Sequence, residues 1–212
     1  MYTYFSTFIT GLSSVIESEI KHIIKDVAIE SIQDGLIIYS TNCPYTDKLS
    51  IRFFNNTFLL LKTFKSDDWN KKNINNMISD TINERNLFDN YSRTILLKNN
   101  TFRIVISKEN QMIPVGKRNI SILENKIQHE VHLSVHKTLP DIELWFVIRR
   151  GSEAYFGIRL TKTHTEYSKI LRKGELRPEL SHLLCYISEP SEKRIYSSIR
   201  LLDLDQYLSK GQ

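Results

Sequence analysis

The chain has 212 residues, a formal net charge of +5, 41% hydrophobic and 25% charged side chains, which fits an ordinary folded protein of one large domain or two small ones. No apolar run approaches the roughly 20 residues a membrane-crossing helix needs, and the opening MYTYFSTFIT places no basic leader ahead of an apolar stretch, so no signal peptide is expected. Two isolated cysteines, Cys43 and Cys185, argue against a disulfide framework and for a reducing, cytoplasmic location.

Residues 2–9 (YTYFSTFI) alternate like a first strand. From Ser14 the period lengthens: Val15, Ile16, Ile20, Ile23, Ile24 and Val27 share one helical face, and Ser14 with Glu17 has capping-box spacing. VAIESI (27–32) and LIIYS (36–40) read as strands around Asp34-Gly35, a tight-turn dipeptide. A weaker helical stretch is expected from Asp47 to Asn55, then a strand over Phe58–Phe64. The order β-α-β-β-α-β is that of a small ferredoxin-like domain, assigned to residues 1–65.

The polar run SDDWNKKNINN (66–76) marks the expected boundary. A helix follows through Ile74, Met77, Ile78, Thr81 and Ile82, then a strand FRIVIS (102–107) and a loop with Pro114, Gly116, Lys117 and Arg118. A second helix is expected from about Ser121, with Leu123, Ile127, Val131 and Val135 inward. IELWFVIRRGSEAYFGIRL (142–160) reads as two strands around a glycine turn. Pro178 can open a last helix as its first residue, with Leu180, Leu183, Leu184 and Ile187 on one stripe.

Positive charge is unevenly spread. Residues 1–64 carry five basic and six acidic side chains, and residues 65–144 carry twelve and ten. The segment 149–177 holds Arg149, Arg150, Arg159, Lys162, Lys169, Arg172, Lys173 and Arg177 against three glutamates. Such clustering attracts a polyanion, because each neutralised phosphate releases condensed counterions; a solvated basic face is the plainer alternative.

Two stretches, FRIVISKENQMIPVGKRNISILENKIQHEV and LPDIELWFVIRRGSEAYFGIRLTK, resemble the THUMP family of RNA-modification proteins. A third, RKGELRPELSHLLCYISEP (172–190), is similar to the segment joining THUMP to the catalytic domain of SAM-dependent RNA methyltransferases. The resemblance covers residues 1–190. It implies an α/β fold of the α+β kind: a ferredoxin-like domain, a THUMP RNA-binding domain over 66–165, and from 166 a linker helix and the start of a methyltransferase domain. It further implies a tRNA or rRNA partner and methyl transfer to the exocyclic amine of guanosine.

On the resemblance and the charge together, the expected RNA-facing residues are Arg103, Lys108, Lys117, Arg118, Arg149, Arg150, Arg159, Lys162, Arg172, Lys173 and Arg177. The family's SAM loop, Asp-Pro-x-x-Gly-x-Gly, has no counterpart: the glycines at 11, 35, 116, 151, 157, 174 and 211 include no Gly-x-Gly pair. S-adenosylmethionine is therefore implied for the full-length family member and no cofactor is expected in this chain, read as a truncated front portion inactive by itself. The alternatives are a free-standing RNA-binding adaptor and the front end of a thiouridine synthetase, whose ATP loop is absent.

Other motifs have plainer readings. Asn42-Cys43-Pro44-Tyr45 resembles the Asn-Pro-Pro-Tyr of amino-group methyltransferases, but an ordinary turn is favoured. His129, His132 and His136 have the spacing of one helix face, and a polar face is favoured over zinc. Tyr2, Tyr4, Trp145, Tyr155 and Phe156 could stack on bases, although strand aromatics are more often core. The last helix's stripe is expected to be mobile or to self-associate.

Overall fold

A computed structural model describes residues 1–45, 51–149, 151–161 and 176–188. Strand β1 (Tyr2–Thr7) and helix α1 (Ser13–Ile23) lead into strands β2 (Ala28–Gln33), β3 (Leu36–Thr41) and the long β4 (Asn56–Lys65). Helices α2 (Lys71–Asn83) and α3 (Asn90–Leu96) precede β5 (Thr101–Lys108) and β6 (Gln111–Met112). Helix α4 (Lys117–Val131) and β7 (Ser134–Val135) are followed by the hairpin β8 (Ile142–Ile148) and β9 (Glu153–Arg159), with α5 (Pro178–Ile187) beyond.

All of these strands join one mixed sheet in the order β2-β3-β1-β4-β9-β8-β5-β6, with β7 beside the start of β5. The seam is the antiparallel pairing of β4 with β9, from Phe58 opposite Arg159 to Lys65 opposite Glu153, with a bulge between Leu60 and Lys62. Strands on either side of the expected boundary near residue 66 are thus hydrogen-bonded directly. Successive strand side chains point to opposite faces, and two cores result. One gathers Tyr4, Tyr39, Leu144 and Phe156 with the buried faces of the helices, including Ile16 and Ile20 of α1, Met77 and Ile78 of α2 and Leu123 and Ile127 of α4. The other face carries a smaller cluster of Phe5, Leu36, Ile38, Phe58, Val147 and Tyr155.

That second cluster is enclosed because the sheet coils. Strands β2 and β9 are four places apart, roughly 19 Å in a flat sheet at the usual ~4.8 Å per strand. Yet Gln33 Nε2 donates to Glu153 Oε2 and to Tyr155 Oη, both at 3.3 Å, and an Arg149 guanidinium nitrogen donates to the Gly35 carbonyl at 3.4 Å. Right-handed strand twist accumulates across the sheet until the β2–β3 and β8–β9 hairpins meet. Phe5 then stacks on Phe58 with ring centroids 4.6 Å apart and lies 5.6 Å from Tyr155. Gly35, at φ +83, makes the β2–β3 turn that the Asp34-Gly35 pair predicts.

Several local expectations are corrected. Ser14 and Glu17 form no capping box: α1 starts at Ser13 after Leu12 with no side-chain cap, and Glu17 bonds Lys21 one turn on at 2.7 Å. Of the helix expected over Asp47–Asn55, residues 47–50 lie outside the described residues and 51–55 turn, with Phe54 N donating to Ile51 O. The second long helix begins at Lys117, four residues earlier than its apolar period suggested. It ends at Val131 because His132 adopts a left-handed conformation at φ 56, so Val135 falls in β7. The helix α3, capped by Asp89, is too short for its period to be read. The stripe of α5 is not wholly unsatisfied: Leu183 is 2% exposed within the main core, while Leu184 and Ile187 remain 41% and 48% exposed. None of the helices in the described residues is long and apolar enough to cross a membrane.

Gly157 sits where the seam leaves no room. A Cβ there would press into the Leu59 carbonyl and lie 2.7 Å from Phe5 Cε1. Replacing Gly157 with Ala is expected to cost about 1–3 kcal/mol through overpacking, read as a lowered midpoint in urea denaturation with an unchanged slope. A second consequence concerns α5. Burial, reinforced by the Arg52 charge and opposed by Glu179, depresses the imidazole pKa of His182 below its usual 6.5. The unfolded chain then binds the proton more readily, so the contribution of His182 is present above pH 6.5 and declines as the pH falls below it. Hydrogen exchange over 176–188, corrected for intrinsic rates, should accelerate at pH 5.5 relative to pH 7.5.

Candidate nucleic-acid interface

The basic side chains separate into those that hold the fold together and those that face solvent. Glu143 on β8 decides two of them. It lies opposite Arg103 in the parallel β5–β8 register and is 7% exposed. A buried carboxylate is costly unless its oxygens are satisfied. Here they accept from Arg103, from Arg159 at 2.7 Å and from Trp145 Nε1 at 2.9 Å. Burial alone would raise the Glu143 pKa, but the Arg159 and Trp145 hydrogen bonds and the two arginine charges bring it below the ordinary glutamate value. Arg159 also lies over the Trp145 ring, its Cζ 5.7 Å from the centroid. Arg103 and Arg159, both expected on the RNA surface, are therefore locked to a glutamate. The carboxylate was not singled out in the sequence, where an acid on an apolar strand was the available signal.

Other expected contacts are also engaged. Lys108 Nζ donates to the Trp69 carbonyl at 2.9 Å, tying the end of β5 to the loop before α2. Arg149 bridges the Asn110 side chain at 2.7 Å and the Gly35 carbonyl, and burial holds its guanidinium pKa below the ordinary value. Arg177 is exposed, its Nε 3.7 Å from Glu179. Arg150, Lys162, Arg172 and Lys173, like Lys169, lie outside the described residues. Lys126, not singled out, caps the end of α2 through the carbonyls of Thr81, Ile82 and Glu84.

Lys117 and Arg118 stand apart. Both are exposed, and they form the first turn of α4, whose N-terminal Gly116 offers no side-chain cap. The contrast with α2 is direct: there Asn70 Oδ1 accepts from Lys72 N and Asn73 N, occupying the amides. The N-terminal end of a helix carries about half a positive charge and favours acids, not bases, in its first turn. Two cations on an uncapped N-terminus raise the local potential further and leave amide donors turned outward, an arrangement that suits an anion. Lys65 marks the same end of the sheet, since it pairs with Glu153 while Lys108 pairs with Ile148 and Ile148 with Ala154. Lys71 and Lys72 open α2, which packs against α4.

The remaining motifs resolve as structure. Tyr4 Oη donates to the Cys43 carbonyl and Tyr45 N donates to Tyr91 Oη, so the Asn42–Tyr45 segment is a turn pinned from two sides. His129 lies on α4, His132 is its left-handed cap and His136 accepts from Leu139 N through Nδ1; the three do not share a helix face. Tyr4, Tyr155 and Phe156 are core residues, Trp145 is partly buried and donates to Glu143, and Tyr2 packs at a tilt against Tyr91.

No family model matches the chain, and no curated protein matches it by sequence. Solved structures do. The crystal structure of TrmN from Thermus thermophilus matches 89% of this chain and 55% of its own length, at 14% identity and a TM-score of 0.61. A possible methylase from Clostridium difficile 630 matches 88% of this chain and 48% of its own, at 18% identity and 0.55. A predicted N6-adenine-specific DNA methylase from Listeria monocytogenes matches 90% and 48%, at 10% identity and 0.51. The likeness shows a shared mixed α/β fold, and the chain spans about half the length of the structures it matches.

Glu143 gives this region a sharp test. Replacing it with Ala strands two arginines in a desolvated site, and breaking a buried pair in this way costs about 3–5 kcal/mol. Thermal denaturation should show a large loss for Glu143→Ala and a smaller one for Glu143→Gln, which keeps an acceptor for Arg159 or Trp145.

Proposed function

We propose that this chain is the RNA-docking portion of an RNA-modifying enzyme, and that the reaction it serves is methyl transfer to the exocyclic amine of a guanosine in tRNA or ribosomal RNA. The observation that carries the docking role is the uncapped N-terminus of α4 with Lys117 and Arg118 exposed on it. Stability alone disfavours cations there; a phosphate reverses the sign, because it accepts from the open amides and neutralises both side chains. Lys65, Lys71 and Lys72 extend the positive field at that end, where an incoming strand is guided and held through its backbone.

The methyl-transfer half of the proposal rests on the resemblance of residues 172–190 and on the likeness to methylase structures. The residues in hand do not fit S-adenosylmethionine. Gly116, the glycine that opens α4, has an ordinary φ of −55 and open space where a Cβ would stand, so it makes no close backbone cradle. In the sequence no glycine pair has Gly-x-Gly spacing. On this reading the chain binds and orients the RNA.

Fluorescence anisotropy with labelled tRNA across a salt series checks the docking role. Affinity should fall as salt rises, by about 0.7 in log K per tenfold salt for each phosphate neutralised on a single strand. The double variant Lys117→Glu/Arg118→Glu should weaken binding several-fold and flatten that slope, whereas Lys21→Glu/Lys25→Glu, at and just beyond the end of α1, should change little. Equal losses from the two pairs would mean undirected attraction. Calorimetry of the same protein with S-adenosylmethionine should show no saturable heat.

A further inference from the structure

A separate, open surface recess of about 630 Å³ lies between the second half of β4 and the end of α2. Its floor is the Phe64 ring, 7% exposed. Lys62 crosses it with Nζ 5.6 Å from the Phe64 centroid and 2.6 Å from Glu84 Oε2, so these two charges largely cancel. The rim carries exposed Lys65 and Arg85 together with exposed Asp80 and Asn83. Lys65 comes no closer than 3.5 Å to Glu153 and its side chain is 77% exposed, which leaves it available. Beside it, the carbonyls of Thr81, Ile82 and Glu84 are capped by Lys126.

We infer that this recess takes one unpaired nucleotide of the RNA strand, with its phosphate between Lys65 and Arg85 and its base edge against Asp80 and Asn83. The inference rests on the RNA-docking reading but uses different residues. Lys65 belongs to the same end of the sheet as the α4 site, and the recess runs from it toward the far end of α2, roughly 14–18 Å along the helix from Lys71 to Asp80 and Asn83. The pairing of a carboxylate with an amide is what separates a nucleotide from an acidic peptide. A carboxylate accepts from a base amine and an amide both donates and accepts, whereas Asp80 would repel an acidic side chain. The base must be unpaired, because the deep, narrow major groove of duplex RNA keeps the amine edge of a base away from protein side chains.

Asp80→Ala provides the decisive variant, since it removes a negative charge. Simple attraction predicts tighter RNA binding; recognition of a base amine predicts weaker. The probe is a labelled single-stranded oligocytidylate of about six nucleotides, set against a duplex RNA of equal charge, with the whole chain and folding checked by circular dichroism. Asp80→Ala and Asn83→Leu should each weaken single-strand binding several-fold and leave the duplex unaffected. Lys65→Glu/Arg85→Glu should weaken the single strand more. Tighter or unchanged binding by Asp80→Ala overturns the inference, as does full competition by a polyglutamate peptide. If binding responds to Lys117 and Arg118 but to none of the recess variants, only the recess assignment fails. If the wild-type chain binds neither RNA, the docking reading falls with it.

Discussion

Backbone pairing between β4 and β9 is the constraint on which the remaining arrangement depends. It merges strands from the first 65 residues and from the last hairpin into one sheet. Because each strand adds its own twist, a sheet this wide cannot stay flat, and the coil brings Gln33 and Gly35 to Glu153, Tyr155 and Arg149. The apolar cluster around Phe5 and Phe58 is enclosed by that closure. Gly157 is the residue type the seam requires, since the Leu59 carbonyl and the Phe5 ring occupy the space of a side chain.

The same geometry assigns the basic residues their work. An arginine on a strand near a buried acid is drawn inward, because leaving Glu143 unpaired would cost more than ordering two guanidinium groups. Lys108 and Lys126 reach carbonyls that would otherwise lack donors. What remains for a partner is the set of cations whose removal would leave no interior group unsatisfied, and Lys117, Arg118 and Lys65 are of that kind. Net charge is a property of the whole chain, whereas an interface is made by the fraction of it that folding leaves unspent.

Elements with a strong period were legible. The strands at 101–108, 142–148 and 153–159 and the helices through Ile74–Ile78 and Leu123–Val131 lie where alternation and helical spacing place them. Elements governed by contacts were not. Helix α3 depends on the Asp89 cap more than on a period, α4 gains its polar first turn ahead of its apolar face, and α1 begins without the box its Ser14 and Glu17 offered. Around the candidate site, Pro114 and Gly116 made the loop-to-helix junction that carries Lys117 and Arg118 legible. Arg103, Arg149 and Arg159 could not be told from them, since burial depends on partners far away in sequence.

Alone, then, the sequence determined the alternation of strands and helices, the polar stretch after β4, the absence of a paired-glycine loop and the supply of positive charge. These are properties of neighbouring residues, carried by period, composition and turn chemistry. Tertiary structure decided which strands became neighbours, how far the sheet coiled and which cations were consumed by Glu143 and the backbone. It also set Lys65 and Arg85 around one recess with Asp80 and Asn83. Those outcomes hang on contacts between residues tens of positions apart, whose energies exist only once the chain has closed.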